Sequence, residues 1–154
     1  MANVFNEPKK QLLDATLDMF GDVLRILLFT TSPAVLLTAH KNLADVAAVL
    51  SDGAFTEAAD GTYTGQGASG RLTLTVTAAT KDDTADQGEI DATDPTWTAL
   101  DNDLLTGAMI FKFVTSDALS TPIGFYDFSS NLQTNGGDVT VEFSATEGFF
   151  TLGG

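Results

Sequence analysis

The feature that most constrains the fold of this chain is a series of short strand-like segments separated by turn residues. The clearest is residues 71–77, where Leu72, Leu74 and Val76 alternate with polar side chains, as in a strand with one buried face. We therefore expect these three side chains to point inward and their neighbours outward. Apolar and β-branched residues predict further strands at residues 96–100, 106–114, 122–128, 138–144 and 148–152.

Turn residues separate the later strands. Residues 117–121 and 131–137 carry Asp, Ser, Asn and Gly between apolar segments and predict two turns. Asn135 and Gly136 are the strongest signal, because both residues accept a positive φ.

The N-terminal part of the chain predicts two more strands. Residues 23–30 form a continuous apolar run with one arginine, which is typical of a central strand buried on both faces. Residues 10–19 alternate from Leu13 onward and predict a strand with one buried face. A helix is the alternative there, because Leu, Met and Ala favour helices.

Three segments predict other structure. Residues 42–50 predict a short helix, because Asn42 can cap it and four apolar residues share one face. The four glycines of residues 60–70 predict a flexible loop. The acidic residues 82–94 predict a surface loop, with a short strand around Ile90.

Together these segments predict a mainly β fold, an antiparallel β-sandwich of jelly-roll-like order with one short α-helix. The 154 residues suffice for one domain. We expect that domain to cover residues 11–154, preceded by a polar N-terminal arm over residues 1–10.

Charge excludes several classes of partner. Seven Lys and Arg against 21 Asp and Glu give a net charge of −14, which disfavours nucleic acids and anionic membranes. The apolar stretch at residues 23–39 contains Arg25 and Pro33, so it does not predict a membrane span. The first ten residues lack the pattern of a signal peptide, and we expect the protein to be made in the cytoplasm and to remain soluble there.

The residue types also argue against an enzyme or a cofactor. His40 is the single histidine and cysteine is absent, so zinc and thiolate chemistry are disfavoured. A Ser–His–Asp site would need Ser32 or Ser51 with Asp45, but no nucleophile-elbow motif surrounds either serine. The carboxylates between Asp82 and Asp94 are candidates for calcium, although their spacing does not fit an EF-hand. We predict no catalytic residue, cofactor or metal.

Aromatic and basic residues are the candidates for a contact surface. Adjacent strand residues point to opposite faces, so Phe149 and Phe150 require both faces of their strand to be covered, and Phe125 beside Tyr126 requires the same. The predicted helix or a second subunit could cover the outer face, and we favour a contact with a subunit or partner. Trp97 is expected in the core, with an interface anchor as the alternative. The candidate interface residues are Lys9, Lys10, Trp97, Phe125, Phe149 and Phe150.

The order of several blocks resembles a family of small structural proteins from tailed bacteriophages. The blocks that carry the resemblance are residues 12–19, 23–30, 40–46, 55–63, 90–97, 122–128, 135–139 and 148–152. Residues 90–97, an acidic segment followed by Thr96 and Trp97, are similar to a recurring block of that family. The chain departs from the family at Ala54 and Phe55, where many members have Gly-Tyr.

The resemblance implies a non-enzymatic virion component, most like a head decoration (cement) protein on the outer capsid surface. It implies the major capsid protein as partner, a homo-oligomer such as a dimer or trimer, and a clamp across capsomer junctions. Lys9 and Lys10 of the expected arm could dock on an acidic neighbour. The alternative is a tail, baseplate or fibre-associated component that acts as an adhesin for a host-surface glycan.

Overall fold

The computed structural model of the chain describes residues 3–31, 42, 56–59, 62–65, 70–145 and 147–153. The elements in these ranges are β1 (Asn3–Val4), α1 (Asn6–Leu13), β2 (Leu24–Thr31), β3 (Thr56–Glu57), β4 (Leu72–Thr73), β5 (Val76–Asp82), β6 (Gln87–Ala92), β7 (Thr96–Lys112), β8 (Thr121–Thr140) and β9 (Phe150–Gly153). Within the described ranges, no helix is long and apolar enough to cross a membrane.

The strands form two antiparallel sheets that pack against each other. The larger sheet has the order β1-β8-β7-β2-β3, with β4 also paired to β2, and the smaller has the order β5-β6-β9. One apolar cluster joins side chains of both sheets. The predicted mainly β fold, an antiparallel β-sandwich, is therefore confirmed; the jelly-roll order of strands stays a prediction.

The β2 strand is central and buried on both faces, as its continuous apolar run predicts. Leu27 lies opposite Met109 of β7, which lies opposite Phe125 of β8, and all three belong to an apolar cluster on one face of the sheet. Leu28 and Ala108, one position along, belong instead to the cluster between the two sheets. The alternation of side chains between faces thus gives the larger sheet two apolar faces.

The expected N-terminal arm and the first predicted strand are corrected for the described residues. Residues 3–10 belong to the domain, because β1 pairs with β8 and Phe5 is fully buried. Residues 10–19 contain the end of α1 and a series of turns instead of a strand, so the helical alternative holds only for the start of the segment. Pro8 lies in the first turn of α1, where its missing N–H costs nothing because that N–H has no intrahelical partner.

Two pairs of predicted strands are single long strands. The β7 strand runs for 17 residues and β8 for 20, so the turn predicted at residues 131–137 lies inside β8. Asn135 and Gly137 pair with consecutive residues of β7, which leaves Gly136 as the extra residue of a β-bulge with φ +86°. The positive φ that suggests a hairpin turn is used here to kink a continuous strand.

Three further expectations meet different outcomes. The acidic residues 82–94 are not one loop, because β5 and β6 form a hairpin there with a turn at residues 83–86; the short strand predicted around Ile90 is confirmed, since Ile90 lies in β6. Leu74 is buried, with Thr73 and Thr75 exposed, as the alternation predicts, but Arg71 is buried instead of pointing outward. The helix predicted over residues 42–50 lies, except for Asn42, outside the described residues.

Candidate functional site

The four aromatic interface candidates are buried inside the chain, which confirms the core position expected for Trp97. Trp97, Phe149 and Phe150 are each 2% exposed and Phe125 is 6% exposed. The Trp97 indole N–H donates to the carbonyl of Gly70, with 2.5 Å between nitrogen and oxygen. These side chains are therefore core residues and are not accessible to a partner in this fold.

The two predicted contact lysines lie exposed on α1. The Lys10 ammonium forms a salt bridge with Asp14 at 2.9 Å and lies 3.9 Å from Glu7. The hydrogen bond and charge of Asp14 raise the pKa of Lys10. Because the helix is already formed, these lysines need no ordering step to meet a partner.

The candidate catalytic and metal-binding residues provide no active centre in the described part of the chain. Ser32, His40, Asp45 and Ser51 all lie outside the described residues. In the turn between β5 and β6, the Asp82 carboxylate accepts the backbone N–H groups of residues 84 and 85 and so acts as a turn cap. Among the described residues, no group of three or more His, Cys, Asp or Glu could hold a metal ion.

Four of the seven large apolar side chains that are exposed in the described ranges lie on segments next to one end of the larger sheet, where β2 begins, β7 ends and β8 begins. Leu13 ends α1, Phe20 and Val23 precede β2, and Leu119 lies between β7 and β8; their exposed fractions are 91%, 58%, 49% and 59%. We call these four residues the apolar end. Removal of exposed leucine and phenylalanine surface from water lowers the free energy, so this end is suited to contact another protein.

Polar contacts at Lys112 hold the segments of the apolar end together. Its ammonium donates to the carbonyl of Thr16 at 2.8 Å and forms a salt bridge with Asp22 at 2.8 Å. The next residue, Phe113, donates its backbone N–H to the carbonyl of Val23 at 2.8 Å. The loop before β2 is thereby tied to the end of β7.

A buried arginine ties the turn between β7 and β8 to the other edge of β2. The Arg71 guanidinium donates to both carboxylate oxygens of Glu57, at 2.8 and 2.6 Å, and to both of Asp117, at 2.6 and 3.2 Å. The Tyr63 hydroxyl donates to Glu57 at 3.0 Å and accepts the backbone N–H of Leu28. We call Glu57, Tyr63, Arg71 and Asp117 the Arg71 cluster.

The electrostatics of the Arg71 cluster keep the guanidinium charged and the phenol neutral. Burial alone would lower the pKa of Arg71, but the hydrogen bonds and charges of Glu57 and Asp117 outweigh it, and the pKa is raised. Burial, reinforced by the negative charge of Glu57, raises the pKa of Tyr63 well above its usual range. The cluster thus holds one cation between two carboxylates and serves as a structural link between three segments.

An open cleft of about 190 Å³ lies at the edge of the sandwich beside β9. Its aromatic lining residues are Tyr126, Phe143, Phe149 and Phe150. The ring centroid of Phe143 lies 6.2 Å from that of Tyr126 and 5.5 Å from that of Phe149. The Tyr126 hydroxyl donates to the backbone carbonyl of Phe149, and burial raises the pKa of this phenol. Glu142 and Glu147 are the charged residues of the lining.

Comparison with protein-family models, with curated proteins and with solved structures gave no match to this chain. No sequence pattern predicted the apolar end, the Arg71 cluster or the cleft. Arg71 alone could have been singled out, because it is the one cation of the alternating segment 71–77 in a strongly acidic chain and therefore a candidate for an ion pair.

Proposed function

We propose that this chain is a non-enzymatic structural protein of a tailed-phage virion, which binds the outer surface of the mature capsid and clamps capsomer junctions. The likeness of its sequence blocks to small phage structural proteins supports the virion role. The apolar end is the observation that carries the contact role, because it exposes leucine and phenylalanine on an otherwise strongly acidic chain.

The physical mechanism is preferential binding. A shell filled with genome is strained outward, and a protein that binds only the mature arrangement of capsomers stabilises that arrangement by mass action. The partner in this proposal is the major capsid protein. A homo-oligomer, either a dimer or a trimer, would present several copies of the contact surface and could bridge several capsomers. The acidic surface would keep bound copies from adhering to nucleic acid.

Immunogold electron microscopy of intact virions, with an antibody raised to this protein, tests the location. Label spread evenly over the head supports the proposal. Label confined to the tail overturns it and favours the tail or baseplate alternative, and a glycan-array screen would then test the adhesin role.

A matched pair of variants tests the contact surface. Phe20→Asp in the apolar end should reduce binding to undecorated heads at least about tenfold, because a charge at a desolvated contact costs 1.4 kcal/mol or more. Leu152→Asp is the control, since Leu152 is 42% exposed but lies on β9. Equal binding by both variants would remove the apolar end from the contact.

A further inference from the structure

The cleft beside β9 is lined by negative charge and aromatic rings. Glu142 and Glu147 are exposed on its lining, and no Lys, Arg or His is among the lining residues. Neither glutamate takes part in a salt bridge with any residue in the ranges that the structure describes. The site therefore offers two carboxylates that have no cation.

A second depression, which Phe143 also lines, carries negative charge as well. Its volume is about 310 Å³, and its charged lining residues are Asp91 and Asp94. The Asp94 carboxylate accepts the backbone N–H of Phe143 at 2.8 Å, which fixes the backbone at this position. Half-buried Phe143 thus lines two depressions whose charged lining residues, among those described, are all acidic.

The shape of the first cleft limits what it can hold. Pockets for drug-sized ligands measure roughly 300–1,000 Å³, so about 190 Å³ fits something smaller, such as one amino-acid side chain. Hydrogen bonds fix part of its edge, because the backbone N–H of Gly148 donates to the Ser144 carbonyl and that of Glu147 donates to the Ser144 hydroxyl. A preformed site of this size loses little free energy to ordering when it is filled.

We propose that this cleft binds one arginine side chain presented by a partner protein. The guanidinium is planar, stacks on aromatic faces and pairs with carboxylates through a fork of N–H donors. Its aliphatic stem can lie on the apolar part of the lining. Phe143 would provide the stacking face, and Glu142 and Glu147 the carboxylates. The proposal does not rest on the virion role, since it concerns the chemistry of the occupant and not the location of the partner.

The test is an NMR titration of the full isotope-labelled chain with an acetylated pentapeptide that has one central arginine. We expect saturable shifts of the backbone N–H groups of Phe143, Gly148 and Thr151. The same peptide with citrulline, which keeps the shape but not the charge, should bind at least about tenfold more weakly, because a cation–π contact and a charge-assisted bond are lost.

Two double variants separate this site from general attraction to an acidic protein. Glu142→Gln/Glu147→Gln should weaken the arginine peptide at least about tenfold. Asp83→Asn/Asp86→Asn removes the same charge from the turn between β5 and β6 and should leave the affinity unchanged. Shifts spread over the acidic surface, equal binding of the citrulline peptide, equal loss in both double variants, or no shift at the solubility limit would each overturn the proposal. Immunogold localisation to any part of a virion, or to none, has no bearing on these outcomes.

Discussion

Replacing Arg71 by methionine should lower the free energy of unfolding by about 3 kcal/mol. Methionine keeps an unbranched apolar stem, so the change removes the cation and its four hydrogen bonds to Glu57 and Asp117 with little loss of packing. Removing one partner of a buried ion pair costs about 3–5 kcal/mol, because the remaining charge is left uncompensated. The side chains of Glu57 and Asp117 are 19% and 24% exposed, so water reaches them and the lower end of that range applies.

Urea unfolding followed by circular dichroism measures this loss, and thermal unfolding provides a second readout. For a chain of this size, 1 kcal/mol shifts Tm by about 2–4 °C, so we expect Tm to fall by roughly 6–12 °C. Lys81→Met is the matched control, because the salt bridge between Lys81 and Asp83 joins side chains that are 77% and 76% exposed. Such exposed pairs contribute little, and no resolvable change is expected.

A cost of Arg71→Met no larger than that of Lys81→Met would refute a stabilising role of the Arg71 cluster. The cause of the expected loss is the pair of carboxylates left without a cation. Adding Glu57→Gln and Asp117→Asn to Arg71→Met should therefore restore part of the stability. A further loss in the triple variant would show that hydrogen bonds, and not uncompensated charge, dominate the cluster.

Three other changes test separate parts of the fold. Phe5→Ala should cost about 3–5 kcal/mol in urea unfolding, because Phe5 is fully buried; a cost below 1 kcal/mol would contradict its place in the core. Gly107→Ala should destabilise by at least about 1–3 kcal/mol, since a Cβ there would clash with the Tyr126 carbonyl and the Phe29 ring, whereas Gly88→Ala meets no atom within 4 Å and is the control. Burial raises the pKa of Tyr126 above its ordinary value of 10.0, so its contribution to stability is complete below pH 10 and is lost as pH rises further; Tyr126→Phe should reduce the slope of stability against pH in that range, and an unchanged slope would count against burial of the phenol.

Local patterns in the sequence were enough to predict the class of fold. The alternation around Leu74 and the continuous apolar run that became β2 both report the burial of individual side chains, which depends on spacing along one strand. The later segments were predicted to be extended for the same reason, although the four segments between residues 96 and 144 join into two long strands, β7 and β8. Such patterns can be interpreted without knowing which strands pair, because they depend only on residues close together in the sequence.

Features that depend on pairing between distant segments could not be predicted. Asn135 and Gly136 favour a positive φ, and the sequence does not say whether that conformation serves a hairpin turn or a bulge in a strand paired with β7. The alternation of residues 71–77 predicted that Arg71 faces water, and no local pattern could show its burial, because its carboxylate partners lie 14 and 46 residues away. Phe5 was assigned to an arm for a similar reason, since its neighbour Phe125, 6.0 Å away between ring centroids, is remote in sequence.

The Arg71 cluster also bears on the proposed contact surface. Asp117 and Leu119 lie in the same turn between β7 and β8, and Asp117 is held by the guanidinium. On the opposite side of that end, Lys112 holds the loop that carries Phe20 and precedes Val23. Association costs less free energy when the contact residues are ordered beforehand. A chain that must bind through a few apolar side chains therefore benefits from buried ionic links that fix their backbone, even where an apolar core residue would give equal stability.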